Sequence, residues 1–264
     1  LSLLCGCTDN TVMPGLPREV EVYLNLKTVP SGSATRASMD VTTLEECGVR
    51  NLWVLQFDGT DGNPGLLSAR YYANYTDDVK VKLIVSDAPN RLLFVANTNN
   101  PSIEFSKCRT LDDVKRVSKF VTDDTGALGE YISGQYYVMM NGHADAVVNG
   151  ADLSLEVPMK RNAVRLDVKV TNSTGGTANP VTIDSVRICK AVKDICYFTD
   201  YALPDAYPSK DQVRYITYPA TMWADGQEDN GARRFTFYCP ANKRGSITNS
   251  DPKNKLLLAP DGFT

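Results

Sequence analysis

The chain has 264 residues, 42% of them hydrophobic and 22% charged, with a formal net charge of −3. That balance describes a globular protein able to bury a large core and gives no electrostatic case for nucleic acid, because the basic residues are dispersed and form no patch interleaved with aromatics. No GxSxG, Walker loop or HExxH occurs, so no catalytic residue, cofactor or metal is expected.

Leu1-Ser2-Leu3-Leu4-Cys5-Gly6-Cys7 has the look of the last apolar turns of a secretory signal running into a bacterial lipobox, although no initiator Met or basic leader precedes it. The sequence is therefore expected to be truncated at this end. The signal peptidase pocket needs a small residue just before the modified cysteine and a Leu three before it. Cys7 meets both conditions, with Gly6 and Leu4, whereas Cys5 would set bulky Leu4 beside the cut; Cys7 is the expected lipidation site. The plainer alternative is a buried apolar segment with two core cysteines. Against it, Thr8 to Pro17 is polar with two prolines and suits a tether from membrane to domain. Acyl chains would stabilise attachment by roughly 0.8 kcal/mol per buried methylene. No further transmembrane stretch exists, so the remainder is expected to be exported and soluble.

Glu19 to Lys27 alternates strictly. Val20, Val22, Leu24 and Leu26 share one face, and Glu19, Glu21, Tyr23, Asn25 and Lys27 share the other, which predicts a half-buried strand. Behind it, Val29 to Ser38 is a small, polar loop with Pro30, Gly32 and a single charge, Arg36. The pair reads as a removable strand with a protease handle, against the bland readings of a permanent core strand and a solvated loop cation.

Thr43 with Glu46 predicts a capping box ahead of Gly48. Strands are expected over 49–57, 71–75, 79–85 and 91–97, separated by turn residues such as the run from Asp58 to Gly65. Thr110 with Asp113 predicts a second capping box and a short helix packing Leu111, Val114 and Val117 over an open sheet end. Further strands are expected over 163–170, 181–189 and 233–238, with a long surface excursion from Tyr197 to Asn230. Short strands at regular spacing argue for antiparallel β-sandwiches, with a domain boundary near Pro158.

Of seven cysteines, five follow the leader: Cys47, Cys108, Cys189, Cys196 and Cys239. An odd set cannot pair fully within the chain, and no CxxC occurs, so they read as small buried hydrophobes, with Cys189 and Cys196 the best candidates for a bridge. His143 and Asp145 sit two apart, which tempts one toward an oriented base, but a structural or surface histidine is the preferred reading. Asp77-Asp78, Asp112-Asp113 and Asp123-Asp124 lack calcium-loop spacing and read as solvated turns and helix-start charges. Tyr197, Phe198, Tyr201, Tyr207, Tyr215, Tyr218 and Trp223 are read as cover for the second sandwich in preference to a sugar-stacking platform.

Five segments, in this order and spacing, resemble the fimbrillin family of Bacteroidia-type pili, the type V pili: EVYLNLKTVPSGSATRA (Glu21 to Ala37), VRNLWVLQFDG (Val49 to Gly59), NRLLFVANT (Asn90 to Thr98) leading to RTLDDVKRVS (Arg109 to Ser118), LEVPMKRNAVRLDVKV (Leu155 to Val170) and FTFYCPANKRG (Phe235 to Gly245). The resemblance implies an all-β subunit of two tandem transthyretin-like antiparallel β-sandwich domains with a few short helices. The expected division is a leader, lipobox and tether over 1–17, a first sandwich over 18–158 and a second, incomplete one over 159–264. It also implies a lipoprotein precursor of the outer membrane, cut by an arginine-specific protease at Arg36-Ala37. The segment from Glu19 to Val29 is then expelled and a strand of another fimbrial subunit takes its place, yielding an extracellular fimbrium for adhesion or biofilm formation. The sequence stops before the last strands such a second domain would have. It is expected to be a fragment, the alternative being a cap that accepts a strand without donating one. The competing function is a monomeric surface glycan-binding lipoprotein.

Overall fold

The computed structural model describes residues 17–28, 48–120, 129–132, 135–150, 153–171, 191–192, 194–198, 215–216, 227–229 and 232–240. In chain order the first elements are β1 (Glu19–Thr28), β2 (Leu52–Asp58), β3 (Gly65–Tyr72), β4 (Val81–Ile84) and β5 (Pro89–Ala96). A 3-10 turn (Glu104–Lys107) and the helix α1 (Leu111–Arg116) follow, then β6 (Ser118–Phe120), β7 (Gly129–Ile132), β8 (Gln135–Val138), β9 (Met140–Val147) and β10 (Ser154–Arg161). The later strands are β11 (Ala163–Thr171), β12 (Ala191–Val192), β13 (Asp194–Cys196), β14 (Tyr215–Ile216), β15 (Gln227–Asp229) and β16 (Ala232–Pro240). The all-β expectation holds. No helix among the described residues is long and apolar enough to cross a membrane.

Seven strands form one sheet in the order β3-β2-β5-β9-β10-β1-β4, and β11, β16 and β15 form another. The first sheet has a core on each face at its centre. Trp53, Leu55 and Phe57 of β2 and Leu93 and Val95 of β5 point into one cluster, with Ile103, Phe105, Leu111, Val114, Tyr197 and Phe198 laid over them. The alternate residues Leu52, Val54, Leu92, Phe94 and Ala96 point into the other, shared with β1, β4 and β10. Strands covered on both sides need apolar residues at successive positions, which accounts for the runs LWVL (52–55) and LLFVA (92–96).

The predicted helix start is present. The Thr110 hydroxyl accepts from the Asp113 amide, and the Asp113 carboxylate accepts from the Thr110 amide at 3.0 Å. A further bond from the Arg109 amide is the main cause that holds the Asp113 carboxyl below its ordinary range. Leu111 and Val114 are buried under the helix, and Val117 packs at the margin of the same cluster.

Two strands turn the corner that folds the sheet over its inner core. β10 pairs with β9 only over Met159–Arg161 and with β1 over Ser154–Met159. Pro158 has no N–H to offer a ladder, and the pairing with β9 begins at the next residue. At that point β9 carries Gly142, where a Cβ would stand 2.6 Å from the Pro158 carbonyl oxygen, so only glycine permits the approach. The chain then breaks at Asn162, whose side chain accepts from Asn141 Nδ2 and donates to the Tyr197 carbonyl at 2.7 Å.

Several expectations need correction. The sheet is mixed, because β1 runs parallel to β10; two strands so far apart in sequence need no hairpin, which frees their relative direction. The strand expected over 71–75 lies instead at Gly65–Tyr72, and 73–74 form a turn. β3 is an edge strand of mixed exposure, so its sequence carries little alternation. The excursion beginning at Tyr197 contains β14 and β15, and its first two residues are buried. The helix expected at Thr43, the strand expected over 181–189 and Cys189 lie outside the described residues; Cys196 is buried.

Candidate strand-binding slot

β1 lies in a slot with a different wall for each half of its length. Glu19 to Val22 pair antiparallel with Ile84 to Val81 of β4. Tyr23 to Thr28 pair parallel with Ser154 to Met159 of β10. Continuing the β4 register past Val22 sets Tyr23 level with Lys80, where the chain leaves the ladder through the turn from Thr76 to Val79. Lys80 Nζ stands 4.8 Å from the Tyr23 ring centroid, and Tyr75 and Val79 join the core beneath.

The alternation read from sequence is realised. Val20, Val22 and Leu24 are 9%, 0% and 4% exposed, and Leu26 packs partly buried against the same cluster. Their outward neighbours meet the rim of the slot. Glu19 pairs with Arg70 of β3, Glu21 approaches Lys82 of β4 at 4.0 Å, and Lys27 reaches Glu156 of β10 at 2.7 Å. These pairs are well exposed apart from Arg70, whose Nε is buried and finds no protein acceptor.

β4 has β1 as its one ladder partner among the described strands. Its other edge is fastened by side chains. Gln56, fully buried on β2, donates from Nε2 to the Ile84 carbonyl and accepts at Oε1 from the Ile84 amide, both at 2.7 Å. The carboxamide thereby takes the place of a neighbouring peptide group. Asn90 accepts a further bond from Gln56 Nε2 at 2.7 Å, and the Tyr72 hydroxyl accepts from the Lys82 amide at 2.7 Å. Burial pushes the Tyr72 phenol up, against the lowering effect of that bond. Sequence reasoning missed Gln56, although a signal existed: it stands on the face of Leu52 and Val54, where the pattern calls for an apolar residue.

A second missed residue is Asn97. With φ at 60°, it accepts from the Arg50 amide and donates to the carbonyls of Gly48 and Val138. It fixes Gly48 and Arg50, just ahead of β2, against Val138 at the end of β8. Arg36 and Ala37 themselves, like Cys7, lie outside the described residues.

Among the described residues, the other candidates are not brought together into a chemical centre. The Asp145 carboxylate is held by Arg91 through bonds of 3.0 and 3.1 Å, and that pairing, not an oriented base at His143, accounts for its position. Among the described residues no group of His, Cys, Asp and Glu could hold a metal ion. Tyr197 and Phe198 are 3% and 1% exposed and pack on Phe105 with ring centroids at 5.5 and 5.9 Å, so neither can stack on a sugar. Burial pushes the Tyr197 phenol up to about 12. The remaining aromatics of the excursion are Tyr215, described only as backbone in β14, and Tyr201, Tyr207, Tyr218 and Trp223, outside the described residues.

No protein-family model and no curated protein matches the sequence. Solved structures do. The C-terminally truncated tip fimbrial protein Mfa3 from Porphyromonas gingivalis superposes with a TM-score of 0.51 at 13% identity, covering 90% of this chain and 75% of that one. The fimbrial anchor protein Mfa2 from the same organism gives 0.46 at 16% identity, covering 86% and 75%. A proposed cell adhesion protein from Bacteroides eggerthii gives 0.45 at 18% identity and covers 70% of this chain; the present chain spans 53% of its length. At 13% identity the likeness to Mfa3 is one of fold alone.

Proposed function

We propose that the chain is a structural subunit of a cell-surface fimbria, serving adhesion or biofilm formation and carrying out no chemistry of its own. In this reading it is exported as an outer-membrane precursor lipidated at Cys7, with two sandwich domains divided near Pro158. An arginine-specific protease cuts at Arg36-Ala37, β1 departs, and a strand from another subunit fills the slot to build the extracellular polymer.

The observation that carries the reading is the attachment of β1. It is a separate strand, seated between two walls, whose buried face can be withdrawn without cutting any other element. Burial of Val20, Val22 and Leu24 stabilises the fold by about 1.5–3 kcal/mol each, a sum comparable to the roughly 5–15 kcal/mol by which a whole domain is stable. The emptied slot would expose both that apolar floor and the backbone edges of β4 and β10. A strand from a second molecule repairs both defects at once. The resemblance in fold to fimbrial proteins supports the same reading.

Limited digestion of the full chain with a trypsin-like protease, followed by sizing, tests it. Cleavage after Arg36 is expected to produce polymers whose length grows with protein concentration, and Arg36→Gln is expected to block their formation. A chain that keeps its first strand after cleavage and remains monomeric would sink the proposal, and carbohydrate binding by that monomer would favour the glycan-binding alternative.

A further inference from the structure

The inner face of β1 cannot tell one end of a strand from the other. Val20, Val22, Leu24 and Leu26 are four branched aliphatics at a spacing of two, and a segment inserted the other way round would present the same alternation to the same floor. Parallel and antiparallel ladders are both available to an inserted strand. Direction must therefore be read elsewhere, and the rim of the slot is asymmetric. Arg70 and Lys82 stand by the beginning of β1, Lys80 by its middle and Glu156 by its end. The resident strand matches this order, with Glu19 and Glu21 first and Lys27 last.

We propose that the charged rim selects both the direction and the chemistry of the strand that fills the slot. The favoured occupant is an extended, alternating segment of another chain that runs parallel to β10, with carboxylates at its first outward positions and a cation at its last. The inference rests on the strand replacement proposed above and specifies its partner. Exposed ion pairs are individually weak, but a reversed strand would set Lys27 beside Arg70 and Glu19 beside Glu156, both repulsive, and leave neutral Asn25 beside Lys82, so the differences add, and charge arrangement governs register and choice of partner more than raw affinity. Arg70 strengthens the case. Its buried Nε lacks an acceptor while its Nη2 holds Glu19, so a carboxylate that met both nitrogens as a fork would hold it better than the resident strand does.

The test uses the full chain cleaved after Arg36 and two fluorescent peptides spanning residues 18–28, one native and one, the swapped peptide, carrying E19K/E21K, which meets Arg70 with a cation in either direction. Uptake is followed by anisotropy. At low salt the swapped peptide is expected to bind at least about tenfold more weakly, and the gap should close at high salt, where surface charges are screened. The chain carrying R70E/K82E, which keeps Glu156 for Lys27, should reverse the preference. Equal binding of the two peptides to the unaltered chain at low salt, or a preference that salt leaves unchanged, overturns the inference while strand replacement stands. If neither peptide enters and the resident strand stays seated, strand replacement fails and this inference falls with it.

Discussion

β5 and β1 are both apolar strands of the same sheet, yet they are held in different ways. β5 lies at the centre, antiparallel to β2 along one edge and to β9 along the other, with apolar cover on both faces. β1 has two ladder partners but only half of its length on each, and only one of its faces is covered. An element braced on four sides cannot leave without the fold, whereas one braced on a face and two half-edges has less to hold it, as the strand replacement proposed above requires. The slot is thus separable from the scaffold that supports it.

The largest effect should come from the scaffold. Phe57→Ala, in the cluster to which β1 does not contribute, is expected to cost about 3–5 kcal/mol, read from the denaturant midpoint, and to cost as much in the cleaved, stripped chain as in the intact one. Leu24→Ala should cost about 2–4 kcal/mol in the intact chain and nothing once β1 has gone. A stripped chain that unfolds outright would break the distinction between the two regions.

Gln56→Met tests the fastening between them. It would leave the Ile84 amide and carbonyl without partners, at a cost of about 1–3 kcal/mol, and β4 amides should exchange with solvent faster than those of β5. Unchanged exchange on β4 would show that the Gln56 carboxamide does not hold that edge.

The smallest effect belongs to Tyr75. It is 2% exposed, its hydroxyl has no protein partner, and burial pushes the phenol up to about 12. Tyr75→Phe should be neutral or stabilising by up to about 1 kcal/mol near neutral pH. A phenol raised in the folded state stabilises the fold fully below the unfolded value of about 10, and that contribution is lost as pH climbs through about 12. The variant should therefore lose less stability than the parent between about pH 9 and pH 11, as measured by denaturant midpoints. An equal loss would place the alkaline sensitivity elsewhere, with buried Tyr197 the next group to substitute.

The features legible in the sequence were those set by neighbours along the chain. The alternation of β1 and the Thr110–Asp113 capping box each require only a few consecutive residues, and both are found where the pattern placed them. β3 escaped because an edge strand with both faces half exposed has no reason to alternate. The parallel pairing of β1 escaped because the local pattern is the same for either direction. Tyr197 and Phe198 sit at the head of a Pro- and Gly-rich stretch, and only Phe105, brought over β2 and β5 by the 3-10 turn, makes them core. Gln56 was visible as an anomaly in an apolar run, but its role depends on where Ile84 comes to lie.

The parallel partner of β1 has a temporal consequence. β1 leaves the ribosome before any residue of β10 has been made, and contacts between segments so distant along the chain form slowly. β2, β3 and β5 find their partners close by and can associate while synthesis continues. The first of the described strands along the chain is therefore among the last of them to be seated.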